Sequence, residues 1–186
     1  MIRTRVGYAG GTTADPTYQN IGDHTETFEV DFDPNVITYE ELLAIFWESH
    51  DPTFASTLRQ YGKVIFYHDE RQRLAAEASR DAIAAELGEQ VMTLIEPLGT
   101  FTRAEDYHQK YYLRHSRAVY DEISACFSSE RDFADSTAAA RLNGYVGGHG
   151  TLEQFERERD LLGLSDDALA VVQEAVETAE GKCDAE

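Results

Sequence analysis

The stretch Gly22 to Pro34, GDHTETFEVDFDP, starts as a polar loop and becomes a strand. Phe28, Val30 and Phe32 alternate with Glu29, Asp31 and Asp33, the period of two that marks a strand with one buried face. Glu26 shares the parity of the apolar set. A carboxylate on the core-facing side of a strand's mouth loses hydration, which favours its acid form and suits it to proton transfer near neutral pH. The alternative is a rim carboxylate facing water.

Outward from this strand, the chain alternates strands and helices. Ile2, Thr4, Val6 and Tyr8 read as a short first strand ending at Gly10-Gly11, and residues 12 to 23 (TTADPTYQNIGD) as loop. Thr38-Tyr39-Glu40-Glu41 has the form of a capping box opening a helix, with Tyr39, Leu42, Leu43 and Phe46 on one face, and Asp51-Pro52 ends it. A strand is expected over Tyr61 to Tyr67, then a helix capped by Asp69 and stopped at Gly88, then a strand over Val91 to Ile95. Ala104 to Cys126 reads as one long helix, 135 to 150 as a glycine-rich loop, and 151 to 162 and 166 to 180 as two closing helices. The expected class is α/β, helices packed on a mixed sheet.

The 186 residues carry 35 Asp and Glu against 16 Lys and Arg, a formal net charge of -19, and Lys63, Lys110 and Lys182 are the only lysines. Such a surface repels phosphate backbones and anionic lipid, so neither nucleic acid nor a membrane surface is an expected partner. A hydrophobic content of 42% argues against disorder. Carboxylates in every segment, with few lysines, point to a protein kept soluble in concentrated salt, the cytoplasm of a halophile. MIRTRVGYAGG lacks an apolar signal core, and no run reaches membrane-spanning length, so a cytoplasmic location is expected.

The motifs resemble those of the A-type peptide methionine sulfoxide reductases. VGYAGGTTADPTY (6 to 18) resembles that family's VGYAGG…NPTY, and GDHTETFEVDFDP its GHAE strand; YEELLAIFWESHDPT, QYGKVIFYHDE and RAEDYHQKYYL follow in the family's order. The resemblance implies a ferredoxin-like mixed sheet with packed helices, plus a helical C-terminal extension, with residues 1–134 as the family core and 135–186 appended. It implies an oxidoreductase of protein repair, acting on methionine sulfoxide in peptides or proteins, with no cofactor and a thiol reductant such as thioredoxin. Glu26 then matches the carboxylate that protonates the sulfoxide oxygen, and Tyr18 and Tyr61 the two phenols that hydrogen-bond it.

The family's nucleophile is the cysteine of a GCFW motif lying before VGYAGG, and only five residues precede Val6 here. The strand and helix that carry it, and its Phe-Trp methyl pocket, have no counterpart in this sequence. The family's Gly-Asn-Asp-x-Gly-Thr loop before Tyr61 is replaced by TFASTLRQ (53 to 60), and Val146 stands where GYCG segments often hold a resolving cysteine. Two compatible accounts are a start codon placed inside a longer frame, and a divergent branch with serine for the nucleophile and a similar LNGY tail; the alternative to a reductase is then a catalytically inactive protein of this type that binds sulfoxide or another small ligand. Of the two cysteines, Cys126, near the end of an apolar helix, is expected to be buried and inert. Cys183, among tail carboxylates that raise a thiol's pKa, is the remaining catalytic candidate. His24, His50, His68 and His108 show no ligand spacing, so no metal site is expected; His108 reads as a hydrogen-bonding residue tying its helix to the loops.

Overall fold

The computed structural model describes residues 1–183, with side chains through residue 181. These residues pack as two compact units, one built on Val6–Glu105 and one on Asp106 onward together with Ile2–Arg5.

In the first unit, β1 (Arg3–Ala9) lies between β2 (Thr25–Asp31) and β5 (Thr102–Arg103), residues 3–5 of it belonging to the other unit. The β1 and β5 strands are antiparallel, with Gly7 opposite Arg103 and Tyr8 opposite Thr102. A second sheet pairs β3 (Val64–Tyr67) and β4 (Leu94–Pro97) in parallel, Val64 opposite Leu94. Parallel neighbours need a crossover, which α2 (Glu70–Leu87) supplies. The expected mixed sheet is therefore in two pieces, and no strand among the described residues joins them. A left-handed Gly10 (φ +78°) turns the chain away directly after β1.

Helix α1 (Tyr39–Glu48) opens on the full Thr38–Glu41 capping box, and α2 opens on Asp69 and closes on a left-handed Gly88, as read from the sequence. Leu43 and Trp47, one turn apart on α1, bury against Ile65 and Ala76. The Trp47 indole N–H donates to Ser79 Oγ on α2 at 2.9 Å, so the bulkiest core ring is satisfied as well as buried.

Several expected elements differ, and the strand expected over Val91 to Ile95 forms at Leu94–Pro97. Tyr61 belongs to a 3-10 turn (Arg59–Tyr61) in which Gly62 N–H reaches Arg59 O, so β3 starts only at Val64. The long helix expected over Ala104 to Cys126 is broken into a 3-10 turn (Asp106–His108), α3 (Tyr111–His115) and α4 (Arg117–Ser124). Lys110 causes the first break: it is left-handed (φ +55°), and its buried ammonium donates to Thr4 O and Ala134 O, each at 2.6 Å. Ser116, outside helical geometry (ψ 76°), causes the second. Cys126 thus falls beyond the end of α4, and its thiol is exposed where burial was expected.

The second unit is helical. After α5 (Glu130–Ala134), α6 (Thr137–Val146) replaces most of the expected loop, because Ser136 caps it and Ala139, Ala140, Leu142 and Tyr145 form a buried face. Helices α7 (Leu152–Glu158) and α8 (Asp166–Cys183) complete the unit. Leu113, Phe155, Val172 and Val176 are fully buried in its core, and Val146 packs against that core.

Candidate active site

The site is carried by the mouth of β2 and by two segments tied to it. Asp23 accepts from the backbone N–H and hydroxyl of both Thr12 and Thr13 at 2.8–2.9 Å. These donors hold its carboxyl well below the usual carboxylate range. His24, only 3% exposed, accepts from Gly11 N–H through Nδ1 at 3.2 Å. Its Nε2 must then carry the hydrogen, which it donates to Thr13 O at 2.9 Å. A Cβ on Gly11 would sit 2.6 Å from Asp23 and 2.7 Å from the His24 ring, so only glycine fits that approach. Asp23 and His24 together clamp one end of the loop that carries Tyr18.

Tyr18 sits between Thr17 and Asn20, whose backbones pair across a tight turn at 3.0 and 3.3 Å. Its own N–H donates to Glu105 Oε1 at 3.1 Å, while Glu105 Oε2 accepts from the buried Tyr8 hydroxyl at 2.7 Å. The Tyr18 ring keeps 47% of its surface.

Tyr61 ends the 3-10 turn and is 50% exposed. The turn is held from three sides. Thr25 Oγ1 donates to Arg59 O at 3.1 Å, the Arg59 guanidinium forks onto Glu96 at 2.5 and 3.1 Å, and it reaches Gly10 O at 3.4 Å. Between them, Gln60 Nε2 donates to Glu26 Oε1 at 2.7 Å.

Glu26 is exposed, so of the two readings the structure gives the rim carboxylate. The face of β2 that is covered is the one bearing Thr25, which lies under the 3-10 turn, while Phe28 on the Glu26 face is 63% exposed. The apolar parity does not mark the buried side, because the turn covers Thr25 instead. Glu26, Tyr18 and Tyr61 line neither the cavity of about 530 Å³ beside Met92 and Leu94 nor that of about 330 Å³ around Tyr39 and Asp69. Each of the three is exposed to solvent.

Sequence reasoning missed Gln60, Arg59, Asp23 and Glu105. Gln60 stands directly before Tyr61 and Asp23 directly before His24, but their partners are remote in sequence and no period announces them. The side chain of Cys183 lies outside the described residues. Among the described residues no group of three or more His, Cys, Asp or Glu side chains is placed to hold a metal ion.

Comparison with known proteins bears on the whole of this surface. The family model described as "Peptide methionine sulfoxide reductase" matches residues 1–142, and one described as "Selenoprotein methionine sulfoxide reductase A, helical domain" matches residues 129–177. A peptide methionine sulfoxide reductase of Drosophila melanogaster is 41% identical over 167 residues, 89% of this chain and 67% of that protein. One from Methanothermobacter thermautotrophicus is 42% identical over 128 residues, 63% of this chain and 76% of the other. A rice relative, peptide methionine sulfoxide reductase A5, is 38% identical over 152 residues, and the match spans only 59% of its length. Among solved structures, reduced Mxr1 from Saccharomyces cerevisiae matches with a TM-score of 0.56 at 29% identity, covering 61% of this chain and 71% of that one. Methionine sulfoxide reductase A of Corynebacterium diphtheriae matches with a TM-score of 0.51 at 34% identity, covering 62% and 64%. A family model over 142 of 186 residues, carried through the mouth of β2 and both tyrosine-bearing segments, settles the relationship: the chain belongs to the peptide methionine sulfoxide reductase family.

Proposed function

We propose that this chain supplies the oxygen-binding side of methionine-S-sulfoxide reduction in peptides and proteins, with Glu26 as acid and the Tyr18 and Tyr61 phenols as oxygen donors. The observation that carries the reading is the family match across residues 1–142, which takes in all three residues. The open Glu26 surface, fixed by the clamp on the Tyr18 loop and by the anchored 3-10 turn, supports it.

In the proposed reaction a thiolate attacks the sulfoxide sulfur. The oxygen takes the proton of Glu26, the S–O bond breaks as the hydroxyl passes to the attacking sulfur, and the new sulfur–sulfur bond breaks with its electron pair going to methionine, so the thiol becomes a sulfenic acid. A second thiol displaces the sulfenic hydroxyl as water and forms a disulfide. Phenol hydroxyls aimed at the departing oxygen stabilise its growing charge. The thiol comes from outside residues 1–125, which contain no cysteine. Cys183 and the exposed Cys126 are the candidates within the chain, and a small dithiol or thioredoxin is the external source, admitted because Glu26 is open to solvent. The reading assigns the substrate residues to 1–134 and treats 135–186 as an appended part.

The net charge of -19 makes a salt-rich cytoplasm part of the same proposal. No helix among the described residues is long and apolar enough to cross a membrane.

Binding is the test that needs no thiol. Titrating dimethyl sulfoxide into the folded chain in multimolar salt should perturb the NMR signals of Glu26, Tyr18 and Tyr61 together, and Glu26→Gln should weaken binding by roughly tenfold, the loss of one good hydrogen bond. Perturbation elsewhere, or equal binding by the variant, overturns the reading.

A further inference from the structure

An acid that gives its proton to a bound oxygen does so from one carboxyl oxygen, and the surroundings of Glu26 distinguish the two. Gln60 Nε2 donates to Oε1 at 2.7 Å. A primary amide does not titrate in the ordinary range, so this donor persists whether Glu26 is charged or neutral. When the carboxyl is neutral, the oxygen that accepts from an amide is best left as the carbonyl, and the hydrogen resides on the other. Gln60 can play this part because its turn is anchored. Thr25 fixes the Arg59 carbonyl, Arg59 is forked onto Glu96, and Gly62 N–H closes the turn on Arg59 O at 3.0 Å.

We propose that Gln60 is a positioning residue that reserves Oε1 of Glu26 as an acceptor and leaves Oε2 to carry the proton given to the sulfoxide oxygen. The inference rests on the reading of Glu26 as the acid.

Among the charged and titratable groups on the segments around Glu26, Asp23, His24 and Arg59 have other engagements, Asp23 with Thr12 and Thr13. Arg59 is paired with Glu96, and both ring nitrogens of His24 are bound to the 11–13 loop. Tyr61 follows on the turn, and Glu29 and Asp31 lie further along β2. Gln60 is therefore the neutral donor through which a substitution can change the balance between the two forms of Glu26. Removing it takes a hydrogen bond from the charged form and favours the acid. Replacing it with glutamate sets two carboxylates where a 2.7 Å contact now stands, so that one retains its proton to higher pH.

The experiment is an NMR titration of the Glu26 side-chain carboxyl carbon in the full chain in multimolar salt. Wild type, Gln60→Leu, Gln60→Asn and Gln60→Glu are compared, and dimethyl sulfoxide binding is measured at each pH. The expected result is a midpoint higher than wild type in Gln60→Leu, which has lost the donor to the charged form, and higher still in Gln60→Glu, which adds a second carboxylate. Gln60→Asn, polar but one methylene too short to reach, should follow Gln60→Leu, which a role in filling space would not produce. The pH at which dimethyl sulfoxide binding is half lost should move with each midpoint. Midpoints that stay at the wild-type value while dimethyl sulfoxide still binds overturn the role of Gln60 and leave the sulfoxide reading standing. Midpoints that move as stated while dimethyl sulfoxide binds at no pH overturn the sulfoxide reading and, with it, the substrate-directed part of this inference.

Discussion

His50 shows how a single side chain holds the first unit together. Its Nδ1 donates to Phe46 O at 2.8 Å, and its Nε2 lies 3.2 Å from Thr93 Oγ1, joining the end of α1 to the approach to β4. The ring also stacks against Phe46 at 4.6 Å. Burial pushes its pKa below the usual imidazole value, and the Lys63 charge adds to that, against opposing effects from the Phe46 carbonyl and Asp51. The unfolded chain therefore binds the proton more readily, so stability rises with pH between the lowered folded value and about 6.5 and is level above it. Relative to His50→Gln, wild type should gain unfolding free energy between pH 5 and pH 7 in denaturant titrations; a difference that stays constant over that range contradicts the assignment. Glu26 shows what sequence can say about one residue. Its presence at a strand mouth was legible, but which side of the strand was covered depended on Thr25 meeting a turn 34 residues away, a contact no local pattern encodes.

Elements whose ends are written in local chemistry were legible. Thr38 with Glu41, Asp69 with Gln72, and Thr151 with Gln154 bond their caps within three residues, so the signal is contained in the segment itself. Thr38→Ala should accordingly cost about 1 kcal/mol of stability, read from the denaturant midpoint at constant slope; a loss below about 0.3 kcal/mol would show that the box adds nothing the packing of Leu43 and Trp47 does not already secure. Where tertiary contacts set the backbone, the sequence misled. The apolar spacing over Ala104 to Cys126 is helical, yet Lys110 turns left-handed so that its ammonium can reach the carbonyls of Thr4 and Ala134. Conversely, Asn143 and Gly144 lower helix propensity in Thr137–Val146, and the helix forms because Leu142 and Tyr145 have a core to enter. Leu113 N–H also finds Asn143 Oδ1 at 3.2 Å, a use for a residue that reads as a loop former.

At the scale of the whole molecule, the charge of -19 brings self-repulsion that salt screens, and for that reason the tests are set in multimolar salt. The family relationship was legible because its motifs are short, ordered and spread over the first unit; the two-piece sheet was not, since pairing depends on which strands are neighbours in space. Taken as a whole, the chain is proposed to activate a sulfoxide oxygen for attack by a thiol from outside residues 1–125. The decisive experiment is reduction of a methionine-S-sulfoxide peptide by excess dithiothreitol in multimolar salt, with the folded chain, with its Glu26→Gln, Cys126→Ser and Cys183→Ser variants, and with dithiothreitol alone. The chain should accelerate reduction over dithiothreitol alone and Glu26→Gln should remove most of the acceleration, while the Cys126→Ser and Cys183→Ser rates show whether either of its own thiols attacks. A rate equal to that of dithiothreitol alone, or an unchanged rate in Glu26→Gln, would contradict the proposal.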